Sequence, residues 1–179
     1  MPKTPKSVAF VTYNSVGEGL SSGWHESNGR RALVVQNTKG ARWAGPGPLA
    51  TAFLYMMDDV VGREATRDAD RQAHDARRGE IGNVWTELQK SLPELDHVVV
   101  YVGTGGSEHA IELASKLPAH QVSFVLCDCN LRRKTAMIAE AGLSDAGVVL
   151  CECGGHRTMK LLFQDFMATG ELPSVLARA

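Results

Sequence analysis

The chain has 179 residues, 44% of them hydrophobic and 22% charged, with a formal net charge of −1. This composition suits one globular domain with its own core. The near-zero charge argues against a general nucleic-acid or membrane-surface binder, and no apolar run approaches the ~20 residues needed to span a bilayer. Residues 1–6 read as a loose tail without the apolar stretch of a secretory signal. The expected location is therefore cytoplasmic, where the four cysteines are reduced thiols, metal ligands or redox groups rather than structural disulfides.

In chain order, Val8 to Tyr13 is mostly apolar and reads as a first strand, bounded by Asn14. The stretch from Asn14 to Gly29 reads as one long polar loop. It carries four glycines and the neighbours Trp24, His25 and Glu26, and loops of this length are frequently functional. Ala32 to Gln36 is a second strand. The Gly- and Pro-rich run 37–48 excludes regular structure, and Pro48 opens a helix whose apolar face is Leu49, Ala52, Phe53, Met56 and Val60.

Residues 63–78 alternate acids and bases around an alanine stripe, Ala65, Ala69, Ala73 and Ala76. Pairs such as Arg71 with Asp75 support a helix. It is read as a projecting solvated helix, with a homodimer contact as the functional alternative. Ile81, Val84, Trp85, Leu88 and Leu92 form a further amphipathic helix, ended by Pro93.

From His97 to Met167 the chain repeats strand and helix three times. Val98–Val102 is an unbroken run of strand formers, as expected of a strand covered on both faces. Ser107 caps the helix carrying Ile111, Ala114 and Leu117. Val122–Leu126 leads to a helix over about 131–141, stopped by Gly142. Gly147–Leu150 leads to the last helix, with Met159, Leu162, Phe163, Phe166 and Met167 on one face and Gly170 as its stop. The alternation predicts an α/β protein forming a single domain over 1–179. Its expected form is a three-layer Rossmann-like fold, with a mainly parallel sheet of about five strands and helices on both faces. The C-terminal ends of such strands share one edge, where ligands of open parallel sheets bind.

Three strand-end sequences are candidates for chemistry at that edge. Gly103-Thr104-Gly105-Gly106-Ser107 is a glycine-serine turn before a helix N-terminus, suited to cradling an anion or to being a plain tight turn. It has neither the dinucleotide fingerprint spacing nor the lysine of a phosphate-binding P-loop. Cys127-Asp128-Cys129-Asn130 and Cys151-Glu152-Cys153-Gly154 place a Cys-acid-Cys unit at matching points of two strands. If those strands are neighbours, Cys127 and Cys151 lie close. The Cys-x-Cys spacing is tight for one tetrahedral ion, so packing is preferred and no metal site is assigned. Asp128 and Glu152 are paired carboxylates able to hold Mg²⁺ or do acid–base work. His156 beside Arg157, after Gly154-Gly155, and His109 in the turn after the glycine loop suit proton transfer or anion contact.

The strand, glycine-serine loop and helix from Val98 to Leu117 resemble the PIN/NYN-type nuclease fold, and also the cyclic-oligonucleotide-sensing Rossmann-like domains. Nucleases of the first kind need acids in that loop and at the end of the first strand. Here Gly105, Gly106 and Ser107, and Thr12-Tyr13-Asn14, stand at those places, so no family is assigned.

The leading expectation is a small anionic or nucleotide ligand held by Asn14, Trp24, His25, Gly103 to Ser107, Asn130, Gly154, Gly155 and Arg157. The first alternative is a hydrolase or metal-dependent nuclease using Asp128, Glu152 and His156, with His109 as a further proton-transfer group. The second is a regulatory or structural subunit acting through 63–78. The sequence names no cofactor.

Overall fold

The strands of a six-stranded sheet lie in the order β2-β3-β1-β4-β5-β6. The computed structural model describes residues 5–12, 20–36, 79, 81–102, 107–127, 131–151 and 156–172, apart from the side chains of Ser107, Cys127, His156 and Arg157. In chain order the elements are β1 (Ser7–Thr12), β2 (Gly23–Ser27), β3 (Arg30–Gln36), helix α1 (81–91), β4 (His97–Val102), α2 (Ser107–Ala114), β5 (Val122–Cys127), α3 (Leu131–Glu140), β6 (Gly147–Cys151) and α4 (His156–Thr169). β3, β1, β4, β5 and β6 run parallel, and only β2 is antiparallel, paired with β3. The α/β class and the mostly parallel sheet expected from the alternation are therefore present. The expected helix over about 49–60 and the charged stretch 63–78 lie outside the described residues.

The parallel strands are apolar on both faces, and alternation sends their side chains into two cores. One cluster takes Ala9, Val11, Leu33, Val98, Val100, Phe124 and Leu126 from the sheet. It packs them against Ile81, Trp85 and Leu88 of α1, Ile111 and Ala114 of α2, and Ile138 of α3. The other takes Val8, Phe10, Val34, Val99, Tyr101 and Val125 and packs them against Met159, Leu162, Phe163 and Phe166 of α4. Phe10 anchors the second core, with Phe163 edge-on at 5.6 Å and Phe166 at 6.1 Å.

The sheet has one more strand than expected. Residues 23–27, read as part of a long loop, form β2 and close a hairpin with β3, pairing Trp24 with Leu33 and His25 with Ala32. The turn is Asn28-Gly29, with φ of 53° and 72°. Two successive positive φ values are what a two-residue hairpin turn requires, and Asn-Gly is the pair that adopts them most readily. The tertiary reason is cover: the Arg31 guanidinium lies 4.1 Å over the Trp24 ring and bonds both Glu26 and Glu94. Trp24 itself packs against the first core.

The N-terminal edge of the sheet is closed by the chain. The Asp96 carboxylate accepts the backbone N–H groups of Lys6 at 2.8 Å and Ser7 at 3.1 Å. Ser7 Oγ donates to the Glu94 carbonyl at 2.7 Å, and Arg31 N–H donates to the Lys6 carbonyl at 2.9 Å. Lys6, placed by sequence in the tail, is thus tied to the sheet. α3 ends in paired bonds from Gly142 N–H to the Ala139 carbonyl and from Leu143 N–H to the Ile138 carbonyl, each 3.0 Å. Leu143 and Ile138 are both buried there, the hydrophobic closure that accompanies this helix stop.

Candidate functional site

Because β3, β1, β4, β5 and β6 are parallel, Gln36, Thr12, Val102, Cys127 and Cys151 end on one edge. α2, α3 and α4 each follow one of these strands and start at Ser107, Leu131 and His156. β1 sits between β3 and β4. The chain passes from β1 to β3 on one side, then returns past β1 to β4 on the other. That reversal is the topological switch point, where a crevice forms in open parallel sheets.

The structure brings the flanks of all three strand-end sequences to this edge. Gly103, Thr104, Gly105 and Gly106, Asp128, Cys129 and Asn130, and Glu152, Cys153, Gly154 and Gly155 themselves lie outside the described residues, as does Asn14. Ser107 and His156 are the first residues of α2 and α4, and Arg157 follows in α4. His109 is in the first turn of α2, where its Nδ1 lies 3.2 Å from Glu112 Oε2. Next to it, Glu108 pairs with Arg133, so the first turns of α2 and α3 are joined across the edge.

Trp24 and His25 are not brought to this edge. Their β3 partners, Leu33 and Ala32, lie three and four residues before Gln36, about 10 Å or more down the strand at ~3.3 Å per residue. Both rings are engaged in packing. Trp24 is under Arg31, and His25 lies edge-on to Phe163 at 5.1 Å. His25 Nε2 donates to the Ser21 carbonyl at 2.8 Å, since a carbonyl only accepts. What does reach the edge from this side is Gln36, which donates to the Leu20 carbonyl at 2.9 Å.

Two buried polar residues at the edge escape a reading by motif. Thr12, the last residue of β1, is fully buried at the switch point, and Lys134 of α3 is 2% exposed. A lysine this buried needs a partner, and Lys134 has one. The sequence does carry a signal for it. Lys134 stands three residues after Leu131 and four before Ile138, on the stripe that faces the core. A charge on an apolar stripe is the mark of a buried polar site. The first turn of α3 holds Arg132, Arg133 and Lys134 and no acid.

Cys127 and Cys151 are direct Cα partners across β5 and β6. Cys151 is buried and reduced, and its Sγ donates to the Leu126 carbonyl at 3.3 Å. Among the described residues no group of three or more His, Cys, Asp or Glu is arranged to hold a metal ion, and no helix is long and apolar enough to cross a membrane.

At the opposite edge, His97 Nε2 lies 2.9 Å from Ser123 Oγ. Burial, with a smaller contribution from His120, lowers the His97 pKa from 6.5 to about 4. The ring is therefore neutral at pH 7. A base this weak is a poor partner for activating a serine, so the pair is read as structural. Comparison with protein-family models, curated proteins and solved structures returns no match.

Proposed function

We propose that the protein binds a small anionic ligand, with nucleotides as the first class to test, at the C-terminal edge of its parallel strands. The scaffold for this reading is a three-layer Rossmann-like fold. The strand order carries it: β1 lies between β3 and β4, and ligands of open parallel sheets bind where the order reverses. Electrostatics support the choice of an anion. The N-termini of α2, α3 and α4 start at this edge, and helix N-terminal N–H groups and dipoles favour negative charge. The first turn of α3 also carries Arg132 and no acid. The glycines of 103–106 would let the backbone approach such a ligand closely.

The test is thermal unfolding of the full chain with inorganic phosphate and with nucleoside mono-, di- and triphosphates. A ligand at 100 times its dissociation constant stabilises by about 2.7 kcal/mol, a readily measured rise in midpoint. Gly105→Val should remove that rise while the unliganded midpoint stays near the native value. No shift with any of these compounds at millimolar concentration would refute the reading.

A further inference from the structure

We infer that Cys127 and Cys151 form a cross-strand dithiol that a small disulfide oxidises, tying β5 to β6 at the edge where both strands end. This rests on the sheet alone and stands whether or not an anion binds there. The two residues are Cα partners in adjacent parallel strands. Neighbouring strands are ~4.8 Å apart, within the Cα separation of roughly 4.4–6.8 Å that a disulfide spans. A second observation comes from the Cys151 side chain. Its Sγ is turned towards β5 and donates at 3.3 Å to the Leu126 carbonyl, part of the peptide bond that joins Leu126 to Cys127. Closing the bond needs no change of strand register.

Cys151 is 7% exposed and its thiol donates to a carbonyl, and a thiol held in this way reacts slowly from solution, so it is assigned as the resolving cysteine of the pair. Cys127 as thiolate attacks the small disulfide, forms a mixed disulfide and releases one small thiol. Cys151 then loses its proton, attacks the Cys127 sulfur and expels the second small thiol. Two protein thiols become one disulfide, the reagent disulfide is reduced to two thiols, and these carry away both protons. The sequence has Cys129 and Cys153 two residues further on, so the experiment must separate the pairs.

The full-length protein is incubated under native conditions with oxidised glutathione. Remaining thiols are blocked with N-ethylmaleimide, and unreduced peptides are identified by mass spectrometry. The expected product is a Cys127–Cys151 linked peptide, formed equally in a Cys129→Ser/Cys153→Ser variant and lost on treatment with dithiothreitol. In Cys151→Ser the expected product is a glutathione adduct at Cys127. Recovery of both Cys127 and Cys151 as maleimide adducts from the native protein would overturn the inference. So would linkage of either residue only to Cys129 or Cys153.

Discussion

The contact between Arg30 and Gly170 gives a prediction that can be taken apart quantitatively. Arg30, the first residue of β3, donates from one guanidinium nitrogen to the carbonyls of Met167 at 3.0 Å and Ala168 at 2.9 Å. It thereby caps the C-terminus of α4, where cations are favoured. Gly170 ends that helix with φ of +79°, and a Cβ there would stand 2.6 Å from Arg30 Nε. Gly170→Ala therefore meets two costs. The left-handed backbone costs an L-residue about 1–2 kcal/mol. Displacing the guanidinium from two carbonyls costs about 1–2 kcal/mol more in this partly exposed setting. The single variant should lose about 2–4 kcal/mol. Arg30→Met should lose only the second part, and in that background Gly170→Ala should cost only the first. Urea unfolding of the four proteins at one pH measures the cycle. If Gly170→Ala costs the same with and without Arg30, the steric coupling is absent. If it costs under about 0.5 kcal/mol, the backbone argument fails as well.

Three other outcomes are expected. His97 has a folded pKa of about 4 against 6.5 ordinarily, so the unfolded chain takes up its proton first as pH falls. Its contribution is fully present above pH 6.5 and is lost on descent towards pH 4. Discounted for partial exposure, the loss between pH 7 and 5 is about 1–2 kcal/mol. Urea midpoints should therefore fall more steeply with acidification in the native protein than in His97→Gln, and parallel curves would refute this. Trp85 is 4% exposed, and its Nε1 has no hydrogen-bond partner among the described residues. Trp85→Phe then removes an unpaired donor along with some volume and should cost about 1 kcal/mol or less, whereas Trp85→Ala should cost about 3–5 kcal/mol. A loss above about 3 kcal/mol for the phenylalanine variant would mean that the indole N–H is bonded after all. At the proposed site, Gly105→Val should abolish nucleotide-induced stabilisation without unfolding the chain, judged by the thermal midpoint with and without ligand.

Much of the scaffold was legible because its signals are local. Runs such as Val98–Val102 are β-branched or aromatic throughout, as expected of a strand covered on both faces. The helices 81–91, 131–140 and 156–169 show their apolar faces at three- and four-residue spacing, and Gly142 and Gly170 mark two of their stops. The matched Cys-acid-Cys units also gave the relation between β5 and β6 once those strands were taken as neighbours. The edge strand β2 was missed because Gly23-Trp24-His25-Glu26-Ser27 has no strong strand pattern of its own. Only Asn28-Gly29 spoke for it. Its pairing depends on β3, and its cover on Arg31, with Glu94 supplied from far along the chain. Likewise no local rule could rank β1 between β3 and β4 or set Trp24 and His25 well down the sheet from its C-terminal edge. Alternation and helical period are properties of neighbouring residues and survive in the sequence. Strand order and burial depend on which distant segments pack together, and those the tertiary structure alone decided.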